Sequence, residues 1–159
     1  MDEQVSANWA QVENQLKRRN DLIPNLISAV KGYAKYEEGV YIQLAEARSK
    51  LAGSINKGDV KAVQKNSSEV EGALSRLLAI AENYPSLKAD KSFIGLQDEL
   101  TGTENRIAVA RRDYNESIRT LNTTIRTIPA SFIAPIAGIQ KRDYFETDES
   151  EKAVPKVEF

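Results

Sequence analysis

Apolar residues recur at alternating steps of four and three along most of the chain, which is the spacing of a helix with one buried face. From Val5 to Leu51 the pattern runs without a change of phase. It predicts one helix of about 50 residues, about 75 Å long. Pro24 falls inside this stretch, where proline removes an amide donor and clashes with the preceding turn. We expect a kink at Pro24, with a true break as the alternative.

A second helix is predicted over residues 60–84 by the same spacing. Gly53 and the stretch 56–58 separate it from the first helix, and the carboxylate of Asp59 can accept a hydrogen bond from one of its first amides. Pro85 disfavours helical geometry at the residue before it, so we expect the helix to end there.

A third helix is predicted over residues 93–128, with Asp90 as its N-cap and Pro129 after its end. The alternating spacing of four and three places most of its apolar residues on two stripes along the helix. Ile118 and Ile125 lie beside these stripes and widen the apolar face. A face of this width favours a multi-helix bundle over a two-stranded coiled coil.

The predicted fold is all-α. Short connections make consecutive helices antiparallel, so we expect an antiparallel up-and-down bundle of three long helices plus a short C-terminal helix, similar to a four-helix bundle. Residues 130–137 are apolar enough to form that short helix against the end of the bundle. We assign residues 1–138 to the bundle domain and residues 139–159 to a partly docked tail.

The tail combines a charged stretch, Thr147 to Lys152, with five sizeable apolar side chains. Disordered ends are typically poor in such residues. We therefore expect Tyr144 and Phe145 to dock on the bundle, and residues 154–159 to dock more weakly or only with a partner. A flexible spacer is the alternative.

Composition excludes several classes of function. The 159 residues are 41% hydrophobic and 28% charged, which is typical of one soluble, folded domain. The chain has no Cys and no His, which excludes disulfides, thiol chemistry, the usual zinc sites and His-dependent catalysis. The net charge of -1 lacks the positive excess used for nucleic acid, and no apolar run approaches the roughly 20 residues of a membrane-spanning helix. We predict no nucleic-acid partner.

We also predict no metal site and no cofactor. Carboxylate bundles that bind two metal ions generally add Glu-x-x-His motifs, and this chain has no His.

We call the row of core-facing positions along each predicted helix its seam. Charged residues occupy some seam positions where apolar residues are the default. Arg19 and Glu37 lie on the first seam, and Glu104 and Arg111 lie on the inward side of the third helix. A buried charge is tolerated only when it is paired and hydrogen-bonded. Three interpretations stay open: ion pairs that set helix register, a ligand or partner site, or a catalytic carboxylate pair.

Three stretches have a more specific amino-acid sequence than a helical bundle requires: residues 18–26, 81–89 and 96–115. They resemble the LemA family, and residues 7–13 and Tyr144-Phe145 extend the resemblance over nearly the whole chain. Ten polar residues of these stretches, together with Glu37, form the candidate polar cluster or interaction site: Arg19, Asp21, Asn25, Glu37, Glu82, Asn83, Glu104, Asn105, Arg106, Arg111 and Asn115.

The resemblance implies a bacterial helical-bundle domain of poorly defined biochemical role, usually tethered by an N-terminal transmembrane helix. The chain starts at Met1 without such a helix, so either the anchor lies upstream or this member is soluble. We predict a non-enzymatic interaction or scaffold module, membrane-associated and extracytoplasmic, whose partner is an unidentified protein, with membrane proteins among the candidates. The alternative is an enzyme or small-ligand-binding bundle that uses the inward carboxylates and Arg residues.

Overall fold

The computed structural model describes residues 1–145, and every regular element within them is a helix. This confirms the predicted all-α class. In chain order the helices are α1 (Asp2–Lys31), α2 (Glu38–Lys57), α3 (Val60–Glu82), α4 (Pro85–Lys88), α5 (Lys91–Thr124) and α6 (Ala130–Ile133). The long helices α1, α2, α3 and α5 form the bundle, while α4 and α6 are single turns.

Consecutive long helices run antiparallel because short connections reverse the chain. Near mid-bundle the side chain of Asn20 on α1 donates to the carbonyl of Arg48 on α2 at 3.3 Å. Asn66 on α3 donates to the carbonyl of Lys50 on α2 at 3.2 Å. The most extensive helix pairs are α1 with α5 and α2 with α3. The architecture is therefore an up-down-up-down bundle of four helices.

The prediction of one first helix of about 50 residues was wrong, because that stretch forms two helices. Helix α1 continues through Pro24, as predicted, but ends at Lys31, and the chain reverses before α2 begins at Glu38. Ala34 is buried in this turn, and its carbonyl accepts a hydrogen bond from the Tyr41 hydroxyl. The apolar spacing resumes in α2 in the same phase, so periodicity alone could not reveal the reversal.

The predicted seams supply the core. On α1 the seam residue Trp9 is partly buried, and the other apolar seam residues are fully buried: Val5, Val12, Leu16, Ile23, Leu26 and Val30. The carboxylates of Asp59 and Asp90 cap α3 and α5 as predicted, since Asp59 accepts from the amide of Ala62 and Asp90 accepts from the amides of Ser92 and Phe93. Each such cap satisfies amides that have no partner within the helix.

After α5 the chain leaves the bundle and then returns along it. The short helix expected within residues 130–137 is present as α6, but Phe132 and Ile133 on it are exposed instead of packed on the bundle. The chain then runs back beside α5 to Phe145, which is buried, while Tyr144 is 41% exposed. The predictions for Thr147 to Lys152 and for residues 154–159 lie outside the described residues.

Candidate functional site

Arg19 lies at the centre of the bundle and is the largest fully buried side chain. One guanidinium nitrogen, Nη1, lies 3.2 Å from Glu71 Oε1 and 3.3 Å from Glu104 Oε1. The other, Nη2, donates to the hydroxyl of Ser67 at 2.9 Å. Arg111 Nη1 lies 3.7 Å from the same Glu71 oxygen. We call these five residues the Arg19 cluster.

The cluster ties three helices together, because Arg19 belongs to α1, Ser67 and Glu71 to α3, and the other two members to α5. Its two carboxylates are 38% and 39% exposed, so they remain partly hydrated while they neutralise a cation that has no access to water. Burying a charge is costly unless it is paired and hydrogen-bonded, and this geometry supplies both at Nη1 and Nη2, while Nε has no hydrogen-bond partner among the described residues. The arrangement is that of an internal ion-pair network between helices.

The structure brings only some of the candidate residues together. Arg19, Glu104 and Arg111 meet in the Arg19 cluster. Glu37 is the N-cap residue of α2 and is half-buried at the end of the bundle. The remaining candidates other than Asn115 are exposed on the helices or at their ends: Asp21, Asn25, Glu82, Asn83, Asn105 and Arg106.

Asn115 holds the tail against α5. Its side-chain oxygen accepts from the Phe145 amide at 2.8 Å, and its side-chain nitrogen donates to the Phe145 carbonyl at 3.0 Å. Asn122, seven residues further along α5, makes the same two bonds with the backbone of Arg142, both at 3.0 Å. We call these two reciprocal pairs the asparagine clamps. They bind the returning chain through its backbone.

The clamped tail places Phe145 next to the Arg19 cluster. Its ring centroid lies 6.1 Å from that of Trp9, which in turn lies 5.1 Å from the ring of Tyr114. The guanidinium of Arg111 lies 4.5 Å from the Phe145 centroid, within cation–π range. Arg111 therefore links the ion-pair network to the docked tail.

A groove of 1210 Å³ lies between α2, α3 and the tail residues 141–144. Its lining contains six basic residues and three acidic ones: Lys50, Lys61, Lys65, Arg76, Lys141 and Arg142, with Glu46, Glu69 and Asp143. We call it the basic groove. Tyr114 lines it from α5, and burial raises the pKa of that phenol above its ordinary value, so the hydroxyl is neutral at physiological pH.

Sequence reasoning did not select several residues of these sites. Ser67, Glu71 and Asn122 were not among the candidate residues. The available signal for Asn122 was its spacing of seven residues from Asn115, which places both on one stripe of a helix. Nothing in the sequence indicates that these two amides bind backbone.

The described residues contain no cluster of three or more Asp or Glu side chains arranged to hold a metal ion. Within the same residues, no helix combines the length and the apolar character needed to cross a membrane.

These features define a four-helix bundle with an internal arginine–carboxylate network and a returning segment that the asparagine clamps hold against α5. The family model described as the LemA family matches residues 8–159, so the chain belongs to the LemA family. The resemblance seen in its three stretches is thereby confirmed.

The chain is also similar to named bacterial proteins. It is 26% identical to magnetosome protein MamQ 2 of Paramagnetospirillum magneticum over 92% of this chain and 62% of the relative. It is 26% identical to magnetosome protein MamQ of Magnetospirillum gryphiswaldense over 91% of this chain and 62% of that relative. It is 25% identical to protein LemA of Metamycoplasma hominis over 86% of this chain and 61% of that relative. The chain thus spans about three fifths of the length of these relatives.

Proposed function

We propose that this protein is a non-enzymatic interaction module whose basic groove binds a carboxylate-rich segment of a partner protein. The observation that carries the proposal is the excess of basic over acidic side chains in a groove large enough for a peptide. Among the described residues, Lys65, Arg76 and Lys141 form no ion pair, whereas Lys50 and Lys61 pair with acidic groove residues. Cations without a partner favour an anionic occupant.

The acidic residues within the groove favour a peptide over nucleic acid. Glu69 lies 3.7 Å from Lys50, and Asp143 lies 3.9 Å from Lys61. A phosphate backbone repels carboxylates all along its path, and binding to it uses a continuous basic face. A peptide can place its own carboxylates beside the cations and its neutral residues beside Glu69 and Asp143.

An enzyme built on the inward carboxylates has less support. Acid–base chemistry needs a carboxylate that a substrate can reach together with other polar groups. Neither the basic groove nor a second, shallower groove on α2 is lined by Glu37, Glu104, Asn25 or Asn115. Glu104 is engaged with the Arg19 guanidinium. The cluster is therefore better suited to holding helices than to turning over a substrate.

The family resemblance supports a position at a bacterial membrane. In this proposal a longer native protein is tethered through a segment N-terminal to α1, the bundle lies on the extracytoplasmic side, and the partner is itself a membrane protein. Fractionation of the native full-length protein, with and without protease added outside the membrane, tests the tether and the side.

Site-specific photo-cross-linking in cells that express the native full-length protein tests the groove. A photoreactive residue at Ser68, inside the groove, is expected to capture a distinct partner identified by mass spectrometry, and one at Val109, exposed on α5, is not. The Lys65→Glu/Arg76→Glu variant is expected to abolish capture. The matched Arg112→Glu/Lys17→Glu variant changes charge equally outside the groove and should preserve it.

Capture that survives the groove variant would show that the basic groove is not the binding site. Absence of capture from every face of the bundle would argue against an interaction module altogether.

A further inference from the structure

An uncharged, mostly apolar segment projects from one end of the bundle. Residues 127–140 form a run of 14 residues without a charge. Four large apolar side chains within it are strongly exposed: Ile128 at 79%, Phe132 at 70%, Ile133 at 59% and Ile136 at 88%. Apolar side chains clustered in this way on a surface mark a contact site for a membrane or another molecule. We call residues 128–139 the apolar cap.

Both ends of the cap are held at the same end of the bundle. Helix α5 leads into it, and the chain returns to the level of Asn122, whose side chain clamps the Arg142 backbone. Arg142 also lies 2.6 Å from Asp2 at the start of α1. The cap therefore extends past the end of the bundle at which α1 begins.

The backbone of the cap is largely satisfied from within. Amides of Ser131, Ala134, Ala137, Gly138 and Ile139 all donate to carbonyls of residues 127–135. Pro129 and Pro135 have no amide hydrogen. A segment that enters the apolar layer of a bilayer must satisfy its backbone internally, since lipid chains offer no hydrogen bonds.

Size and charge favour a bilayer over a protein as the occupant. The cap has 12 residues, whereas a stable protein interface takes about 20 to 30 residues a side. Arg126 and Lys141 flank the uncharged run on both sides, where they can meet lipid phosphates. The run is shorter than the about 20 residues that a spanning helix needs, so it lies in the interface and does not cross.

We propose that the apolar cap inserts into the interfacial layer of a lipid bilayer that contains anionic lipid. Phe132 and Ile136 lie among the upper acyl chains, and Arg126 and Lys141 lie at the headgroups. The contact sets the end of the bundle at which α1 begins against the membrane. The contact shares Lys141 with the basic groove but uses neither Lys65 nor Arg76, and it needs no tether, so the chain of residues 1–159 is sufficient to test it.

Flotation with vesicles measures the contact. The chain is expected to float with vesicles of phosphatidylcholine and phosphatidylglycerol, and more weakly with phosphatidylcholine alone. The Phe132→Ser/Ile136→Ser variant should lower the partition coefficient at least about tenfold, because two large apolar groups lose their burial. The Tyr36→Ser/Val109→Ser variant removes exposed apolar groups outside the cap and should float like the parent chain.

Depth is measured separately with a Phe132→Trp variant. Its fluorescence is expected to shift to the blue on vesicles and to be quenched by lipids brominated on the upper acyl chain, while Trp9, packed against Tyr114 and Phe145, provides the unchanged background.

Three results would overturn the proposal: no flotation with either vesicle, equal loss of flotation in the cap variant and its control, or self-association of the lipid-free chain that the cap variant abolishes. The last result would assign the cap to a second copy of the chain. The groove variant Lys65→Glu/Arg76→Glu should still show the Phe132→Trp blue shift, so the two proposals can fail independently.

Discussion

Arg48 on α2 donates from Nε to the backbone carbonyl of Asn20 on α1 at 2.9 Å, and the Asn20 side chain donates in return to the Arg48 carbonyl. In a regular helix the Asn20 carbonyl would accept from the amide of residue 24. That residue is Pro24, which has no amide hydrogen. Arg48 therefore replaces the hydrogen bond that proline removes, and α1 continues past it.

A double-mutant cycle tests this relationship. Arg48→Ala leaves the Asn20 carbonyl without a donor and should lower the free energy of unfolding by about 1 to 3 kcal/mol, measured by urea denaturation. In a Pro24→Ala background the new amide can donate to that carbonyl, so the same substitution should cost clearly less. An equal cost in both backgrounds would show that Arg48 does not compensate for the proline.

The Arg19 cluster predicts that losing its two carboxylates destabilises the protein more than losing its buried arginine. Glu71→Ala/Glu104→Ala leaves a buried cation without its counter-charges and should cost about 3 to 5 kcal/mol. Arg19→Met removes that cation and leaves two carboxylates that water already reaches, so it should cost less than the double variant. Thermal and urea unfolding measure the destabilisation of both variants, and Lys57→Ala at an exposed helix end is the control. The reverse order would contradict the network as described.

The asparagine clamps predict that the backbone of the returning segment is protected from hydrogen exchange. Asn115→Ala removes both bonds to the Phe145 backbone and should cost about 1 to 3 kcal/mol, with faster hydrogen exchange at the Phe145 amide. Asn115→Asp keeps the acceptor but loses the donor, so its effect should be intermediate. Asn105→Ala, on the exposed face of α5, is the matched control. Unchanged exchange at Phe145 in the alanine variant would rule out the clamp.

The hydrogen bonds of Asp90 predict that the stability of the folded protein depends on pH. Bonds from the Phe93 amide and the Tyr33 hydroxyl lower the pKa of its carboxyl below the ordinary 3.8. A group whose pKa is lower in the folded state contributes stability above its unfolded pKa, and this is lost as pH falls through the folded pKa. Melting temperatures of the wild type and Asp90→Asn should therefore differ at neutral pH and converge in acid. A constant difference between the two proteins would refute the linkage.

Local pattern was sufficient for the helical class and for most of the core. Six apolar seam residues of α1 are fully buried, and Asp59 and Asp90 cap the helices that follow them. These features could be predicted because helix periodicity and capping depend on residues three to four positions apart. The inward position of Arg19 was likewise visible as a charge in an apolar seam.

Only the tertiary structure decided which residues Arg19 meets and where the first predicted helix reverses. Glu71 and Glu104 lie 52 and 85 positions from Arg19 in the chain, so their approach depends on how four helices pack. The turn before Glu38 keeps the phase of the apolar spacing, and a hairpin and a continuous helix then share one pattern. Spacing along a chain records which side of a helix is apolar. Where the helix stops and what covers that side depend on contacts between residues distant in sequence, because burial is a property of the assembled bundle.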